Sequence, residues 1–413
     1  MSAVLGNGMR VVELPVASRL ATAIAVSFPA GSRYEGQDEV GAAHALEHLV
    51  FKGTENHPSA TELNRAAELL GTELEGESTT DYVEFSVGVR AESAMPAVEL
   101  LSELAAIPLL SEGELEVERS VILQEIADGD ENPASRADAL LHAALFSGHR
   151  LATGVAGKAA DLRKLTHADL LRFRNRQWSP AAGVVVMAGN LDHVDHARLE
   201  ELMTRIPDRP PPPAPAAPPQ FVPRVEVEQS AGSVVHLRLS YEIPGLEFRR
   251  RSDRAVAEVF SQLLGGPASS RLFDELRERR GLCYWIDGWV WGFENASFLS
   301  IDCSVNPADL DEAFERIQAI LMDLRTTGPT DEETSRFRSY SGGAATLDFE
   351  SVNSRLNYAT ELIMEYDDHD VDPILLLRQI ESVTRADLTQ LAAAIMPRPC
   401  IGCVGPVTNP DFA

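Results

Sequence analysis

The chain has 413 residues, enough for two to four domains at roughly 100–200 residues each. Its 36 Lys and Arg against 63 Asp and Glu give a formal net charge of −27, and 44% of the residues are hydrophobic, the composition of an acidic globular protein with a sizeable core. A surface this negative repels phosphate backbones and anionic headgroups, which excludes nucleic acid and membrane as partners of the bulk surface.

No apolar run approaches the ~20 residues that span a bilayer; the best candidates, such as Ala181 to Ala188, have strand length. Met1 to Val12 lacks the basic, apolar and small-residue segments of a secretory signal, so a cytoplasmic location is expected. Four cysteines cannot staple such a chain. Cys400 and Cys403 form a C-x-x-C, but Cys400 to Val404 reads as a terminal strand, where residues three apart face opposite sides; this argues against a shared metal or redox role.

The first elements in chain order are strands around Met9 to Leu14 and Thr22 to Ser27. A helix follows over Val40 to Phe51, stopped by Gly53, and a second starts at the capping box of Ser59 and Glu62 and ends near Gly71. Val83 to Val89 reads as a strand, and a capping box of Ser111 and Glu114 opens a helix running to about Ala127. Between Pro207 and Pro223 proline and alanine dominate, which gives an extended, semi-rigid linker.

Beyond the linker the order returns: a strand near Val234 to Ser240, a helix over Ser252 to Leu264, and a helix near Arg271 to Arg280 closed by Gly281. Strands follow over Tyr284 to Val290 and Phe298 to Val305. The expected fold class is therefore α+β: two tandem homologous α/β halves, 1–206 and 224–413, each a mostly antiparallel sheet with helices on it, joined by a linker over 207–223. Eight of the ten histidines precede the linker, so any imidazole chemistry belongs to the first half.

His44-Ala45-Leu46-Glu47-His48 is the most informative stretch. On a helix His44 and His48 lie one turn apart, with Glu47 at the edge of the same face, so two imidazoles can grip one zinc ion while the acid takes a proton from water. This is the inverted H-x-x-E-H pattern. Two solvent-facing histidines with a salt-bridging acid satisfy it equally, and a catalytic site needs a third ligand. On the helix after Ser111, Leu115, Ile122 and Ile126 form an apolar stripe, and Glu118 and Glu125, seven residues apart, share one of its edges. Surface glutamates also take such positions, so the pattern alone leaves their role open.

His44 to Leu49, followed 77 residues after His48 by Glu125 within Glu118-Arg119-Ser120-Val121-Ile122-Leu123-Gln124-Glu125-Ile126, resembles the pitrilysin/insulinase family, especially half-length bacterial relatives of mitochondrial processing peptidase. The likeness runs over essentially the whole chain, including Gly189-Asn190-Leu191-Asp192 and Gly265-Gly266-Pro267-Ala268-Ser269-Ser270-Arg271-Leu272-Phe273. It implies a peptidase with one zinc ion per chain, ligated by His44, His48 and Glu125, with Glu47 as general base and Glu118 as the acid that orients a ligand histidine. It further implies that Arg277 and Tyr284 reach the substrate, Tyr284 toward the tetrahedral oxyanion; on their own these residues read as the basic end of a helix and the start of a strand.

In the resembled family, substrate pairs with an edge strand that matches Leu74 to Thr79 here. This chain carries Glu75-Gly76 where relatives typically have asparagine then alanine, and the added carboxylate points to basic substrate residues or simply to solvent. The resemblance also implies a dimer enclosing a chamber that admits unfolded oligopeptides or leader segments. Because the zinc ligands and the Arg277/Tyr284 pair share one chain, a homodimer is expected, with a heterodimer with a paralogue as the variant. The rival from another class is a non-catalytic structural subunit of the core-protein type, which typically loses the zinc ligands. His57, before Pro58, and His149 read as loop residues rather than ligands.

Overall fold

The computed structural model describes residues 2–293, 296–407, 410 and 412. They form two compact units, each built on one sheet. The first comprises Met1–Ala127, Gly154–Ala216 and Phe349–Asp372; the second comprises Asp128–Thr153, Ala217–Asp348 and Pro373–Ala413.

The sheet of the first unit contains β1 (Ser2–Val4), β2 (Arg10–Pro15), β3 (Ala21–Phe28), β4 (Glu75–Ser78), β5 (Val83–Arg90) and β6 (Val184–Gly189), in the order β1-β2-β6-β3-β5-β4. Only β2 and β6 run parallel. β3 lies in the middle and is apolar on both faces from Ala23 to Val26, as a strand covered twice must be, whereas β4 is a short, exposed edge. Trp178 fills the core, stacked on Phe28 at 5.4 Å and edge-on to Phe85 at the same distance.

The second sheet contains β7 (Val225–Gln229), β8 (Val235–Glu242), β9 (Cys283–Phe293), β10 (Ala296–Val305) and β11 (Cys400–Gly405), in the order β7-β11-β8-β10-β9. Strand for strand this repeats β2-β6-β3-β5-β4, including the one parallel pair, now β7 with β11. The tandem architecture read from the element order is therefore present in the connectivity itself. Cys400 and Cys403 are buried on β11, where burial pushes their thiols up to about 11 and about 12.

Helices α1 (Ala42–Val50), α2 (Ala60–Leu69), α3 (Ala94–Ala106), α4 (Glu112–Glu131) and α5 (Pro133–Leu145) follow in chain order. Two boundaries differ from the sequence reading. α1 starts at Ala42, because Gly41 takes φ +90° and ends the preceding turn; α4 continues through Gly129 to Glu131 and stops short of Pro133, where Asn132 caps α5. The segment near Arg271 to Arg280 is helical as expected, but Phe273–Arg279 is wound as a π-helix.

The compact units also differ from the contiguous halves 1–206 and 224–413. α5 precedes the linker in sequence yet packs on β11 and β8 of the second sheet, while the helix Val352–Tyr366 follows the linker yet packs on β3 and β6 of the first. Ion pairing of Arg19 with Glu350 and a contact of Arg10 with His369 fasten the latter segment. Amphipathic helices find whichever apolar face is left bare, and chain order does not restrict that choice.

α5 approaches β11 so closely that only glycine fits at residue 402: a Cβ there meets the Ala137 carbonyl oxygen and lies 2.5 Å from the Leu141 nitrogen. Gly402→Ala should therefore destabilise the second unit by about 1–3 kcal/mol, the usual cost of overpacking, seen as a lower urea midpoint at unchanged m-value.

Candidate metal centre and its surroundings

α1 carries His44, Glu47 and His48 on the face turned away from its buried side, which is formed by Ala42, Ala45, Leu46, Leu49 and Val50. Its N-terminus has no side-chain cap of its own. Instead Glu35, buried in the preceding loop, accepts from the backbone N–H of Gly41 at 3.0 Å and of Ala43 at 2.9 Å, which satisfies two orphan donors with a negative charge at the positive end of the helix.

The two rings sit 4.6 Å apart, centroid to centroid. His44 Nε2 lies 3.1 Å and His48 Nε2 3.6 Å from the same oxygen, Oε2 of Glu125 on α4. The opposite nitrogen of each ring is also engaged. His48 Nδ1 faces Glu118 Oε2 at 3.1 Å, and Lys52 Nζ lies 2.7 Å from the other oxygen of Glu118. His44 Nδ1 is 3.1 Å from Ser78 Oγ on β4 and 3.2 Å from Glu47 Oε2. Glu118 is 4% exposed, whereas the Glu125 side chain is 47% exposed, so one acid is a buried brace and the other stands at the open side.

Two imidazole nitrogens and a carboxylate oxygen converging on one point, each ring anchored at its far side, is the donor set that zinc takes. The residues present fit such an ion. Among the described residues, His44, Glu47 and His48 are also the one group of three or more potential ligands with atoms all within 4.8 Å of one another. Burial disfavours charge on His44, yet its hydrogen bonds to Glu47 and Glu125 outweigh this and hold its pKa above the usual imidazole value. For Glu47 burial again opposes ionisation, and the neighbouring His44, His48 and Ser78 prevail, holding its carboxyl below the usual range.

The structure thus gathers His44, Glu47, His48, Glu118 and Glu125 at one place. Gly76 joins them, since a Cβ at that position would lie 2.5 Å from the Phe51 ring and 3.2 Å from Glu47 Cγ; β4 passes directly over α1. Glu75 is exposed on the alternate face of β4. Arg277 and Tyr284 belong to the second unit, where the Arg277 guanidinium lies 5.0 Å from the Tyr284 ring centroid and Tyr284 is 83% exposed at the start of β9.

Ser78, Lys52 and Glu35 escape a reading of the sequence. Ser78 had a signal, since it shares its β4 face with Gly76, and Lys52 had a weaker one, one turn beyond His48. His57 is not a ligand here: its Nδ1 bonds buried Glu103 at 2.8 Å, which also accepts from Thr54 and Asn56. His149 caps a short turn by accepting from the Leu151 N–H.

Comparison with known proteins agrees with the fold. The family described as Insulinase (Peptidase family M16) matches residues 12–159, and the Peptidase M16 inactive domain matches residues 164–340. An uncharacterized zinc protease of Mycobacterium bovis is 30% identical over 400 residues, covering 95% of this chain and 90% of its own length. Subunit 1 of the mitochondrial cytochrome b-c1 complex of Bos taurus is 35% identical over 189 residues, covering 46% of this chain and 39% of its own.

Among solved structures, a peptidase M16 inactive domain from Pseudomonas fluorescens superposes with TM-score 0.89 at 18% identity, covering 99% of this chain and 98% of its own. A protease from Helicobacter pylori gives 0.86 at 20%, covering 98% and 99%. The chain is a member of peptidase family M16, the insulinase family. No helix among the described residues is long and apolar enough to cross a membrane.

Behind β4 the charge is strongly negative. Glu77 pairs across the sheet with Glu84, and Glu361 and Glu365 of the helix Val352–Tyr366 lie within electrostatic reach of Tyr82 beside them. Burial, then the nearby Glu361 and Asp81, push Glu365 up to about 8 from 4.5. A carboxyl whose folded pKa is raised favours the protonated state, so its presence costs stability progressively as pH rises from about 4.5 to about 8. Glu365→Gln should match the wild type below pH ~4.5 and exceed it by a growing margin up to pH ~8, measured by denaturant midpoints across that range.

Proposed function

We propose that this chain is a zinc-dependent endopeptidase that hydrolyses unfolded peptides or leader segments. One observation supports the reading above the others: His44 and His48 turn their Nε2 atoms toward the same Glu125 oxygen while their Nδ1 atoms are held elsewhere. His44, His48 and Glu125 would hold the ion, one per chain. When bound, zinc supplies Lewis acidity, which lowers the pKa of water and polarises a scissile carbonyl. Glu47, with a pKa below the usual carboxylate range, is ionised at neutral pH and accepts the proton of the attacking water. Glu118, itself held by Lys52, keeps the His48 Nδ1 engaged and its Nε2 free to ligate.

The exposed edge of β4 offers unpaired backbone groups to an extended peptide, which would add as a further strand. Residues alternate along such a strand, so side chains of one parity face Gly76 and those of the other face Glu75 and Glu77. That second side favours basic substrate residues. Arg277 and Tyr284 are assigned to substrate and oxyanion binding, supplied across the chamber of a homodimer, or by a paralogue in a heterodimer. The likeness to the Bos taurus b-c1 subunit favours a second reading, a non-catalytic structural subunit with this fold. Retention of His44, Glu47, His48 and Glu125 weighs against it.

Glu47→Gln should retain zinc and folding but lose about 10²–10⁴-fold in kcat on a quenched peptide, because only the proton acceptor changes; an undiminished rate removes Glu47 from its role. Of two otherwise identical peptides, the one with basic residues should be cleaved with the higher kcat/KM, the preference weakening with added salt; equal rates would remove Glu75 and Glu77 from substrate selection.

A further inference from the structure

Ser78 is the residue on β4 that touches the centre. Its Oγ lies 3.1 Å from His44 Nδ1 and 3.1 Å from Glu47 Oε2, and those two atoms are themselves 3.2 Å apart, so three polar atoms form a closed triangle. The hydroxyl donates to Glu47 Oε2. Its lone pairs remain available to accept from an imidazole N–H, and a hydroxyl is the one group in the triangle able to do both at once.

The triangle matters because His44 has two nitrogens and two demands. If Nε2 is to present a lone pair toward Glu125 and a metal, the ring proton must reside on Nδ1, and that proton needs an acceptor. Without Ser78 the only acceptor within reach in this triangle is Glu47, whose carboxylate would then be drawn onto the ligand histidine instead of toward water. With Ser78 in place, Oγ offers that proton an acceptor 3.1 Å from Nδ1 while its own proton goes to Glu47 Oε2. Both contacts of Glu47 use Oε2 and neither uses Oε1.

We propose that Ser78 is a positioning residue, which selects the Nδ1–H tautomer of His44 and orients Glu47, and which ties both to the edge strand β4. The inference rests on the peptidase reading for its effect on turnover, but its effect on zinc does not require turnover. Its location adds a consequence. Ser78 pairs in register with Val83 on β5 at one end of β4, and Gly76 two residues earlier lies over Glu47 Cγ and Phe51. A peptide added to this strand would stiffen the segment that aims the base.

The test uses the full chain with Ser78→Ala and Ser78→Thr, after thermal unfolding has checked that both fold. Zinc affinity is measured by chelator competition, and steady-state kinetics are measured on a quenched peptide. Ser78→Ala should bind zinc about tenfold more weakly and lose about tenfold in kcat with KM within about twofold of wild type, in the range usual for residues that orient a metal ligand. Ser78→Thr, which keeps the hydroxyl on a strand residue, should restore both to within about threefold. Wild-type zinc affinity in Ser78→Ala overturns the inference, as does a threonine variant no better than alanine. A wild-type chain that binds zinc but cleaves no peptide sinks the peptidase reading alone, because the loss of zinc affinity in Ser78→Ala is then still expected and still measurable.

Discussion

The constraint on which this structure turns is that two imidazoles on a nine-residue helix must be immobilised from outside it. Spacing places His44 and His48 on one face, but a helix side chain keeps its rotamer freedom until something takes hold of it. Here each ring is held at both nitrogens, by Glu118 and Glu125 from α4 and by Ser78 from β4. The length of α4 serves this task, since Glu118 and Glu125 stand two turns apart on one edge: Glu125 lies between the two rings and Glu118 takes the far nitrogen of His48. Buried Glu118 is tolerable because Lys52 supplies a counter-charge at 2.7 Å, so the carboxylate is not buried unpaired.

The same logic explains which parts could be read from the residues in advance. His44, Glu47 and His48 were legible because their relation is local and a helical period carries it. Glu118 and Glu125 were half-legible: the apolar stripe of Leu115, Ile122 and Ile126 places them at its border, but only likeness to a family singles them out from other surface acids. Ser78, Lys52 and Glu35 act through contacts made by tertiary folding, across 34, 66 and 6–8 residues respectively, and no period links them to their partners. The strands β3, β5, β8 and β10 announced themselves by length and apolar content. The helices α5 and Val352–Tyr366 could not announce which sheet they would cover, because an amphipathic face specifies that it be buried and not against what.

The repeat of strand order in the two units separates fold from chemistry. α1 and the helix Arg251–Leu264 hold the same place after the second strand of their respective repeats, yet the latter carries no histidine, and His236 and His369 are the only two beyond the linker. One of its polar residues, Ser261, serves the fold instead: its hydroxyl accepts from the Val290 N–H on β9. The same five-strand order thus supports a metal-type constellation in one unit and ordinary packing in the other, so the architecture by itself argues for no activity.

The edge strands carry the divergence further. β4 and β9 terminate their sheets at equivalent places, and an edge strand is a hazard unless it is kept short, charged or covered. β4 has four residues, two of them Glu75 and Glu77, whereas β9 has eleven and carries an exposed Tyr284 at its second position, beside Arg277. Charge protects β4 from indiscriminate pairing while leaving its backbone groups open, which is the property a strand needs if it is to accept peptides one at a time. Gly76 completes the arrangement: absence of a side chain lets this edge lie against Phe51 and Glu47, so that open backbone groups on one side and the Glu47 carboxylate on the other share a single thin element. The glutamates behind β4, with Glu365 raised to about 8, show that the fold bears a cost there which packing alone does not require.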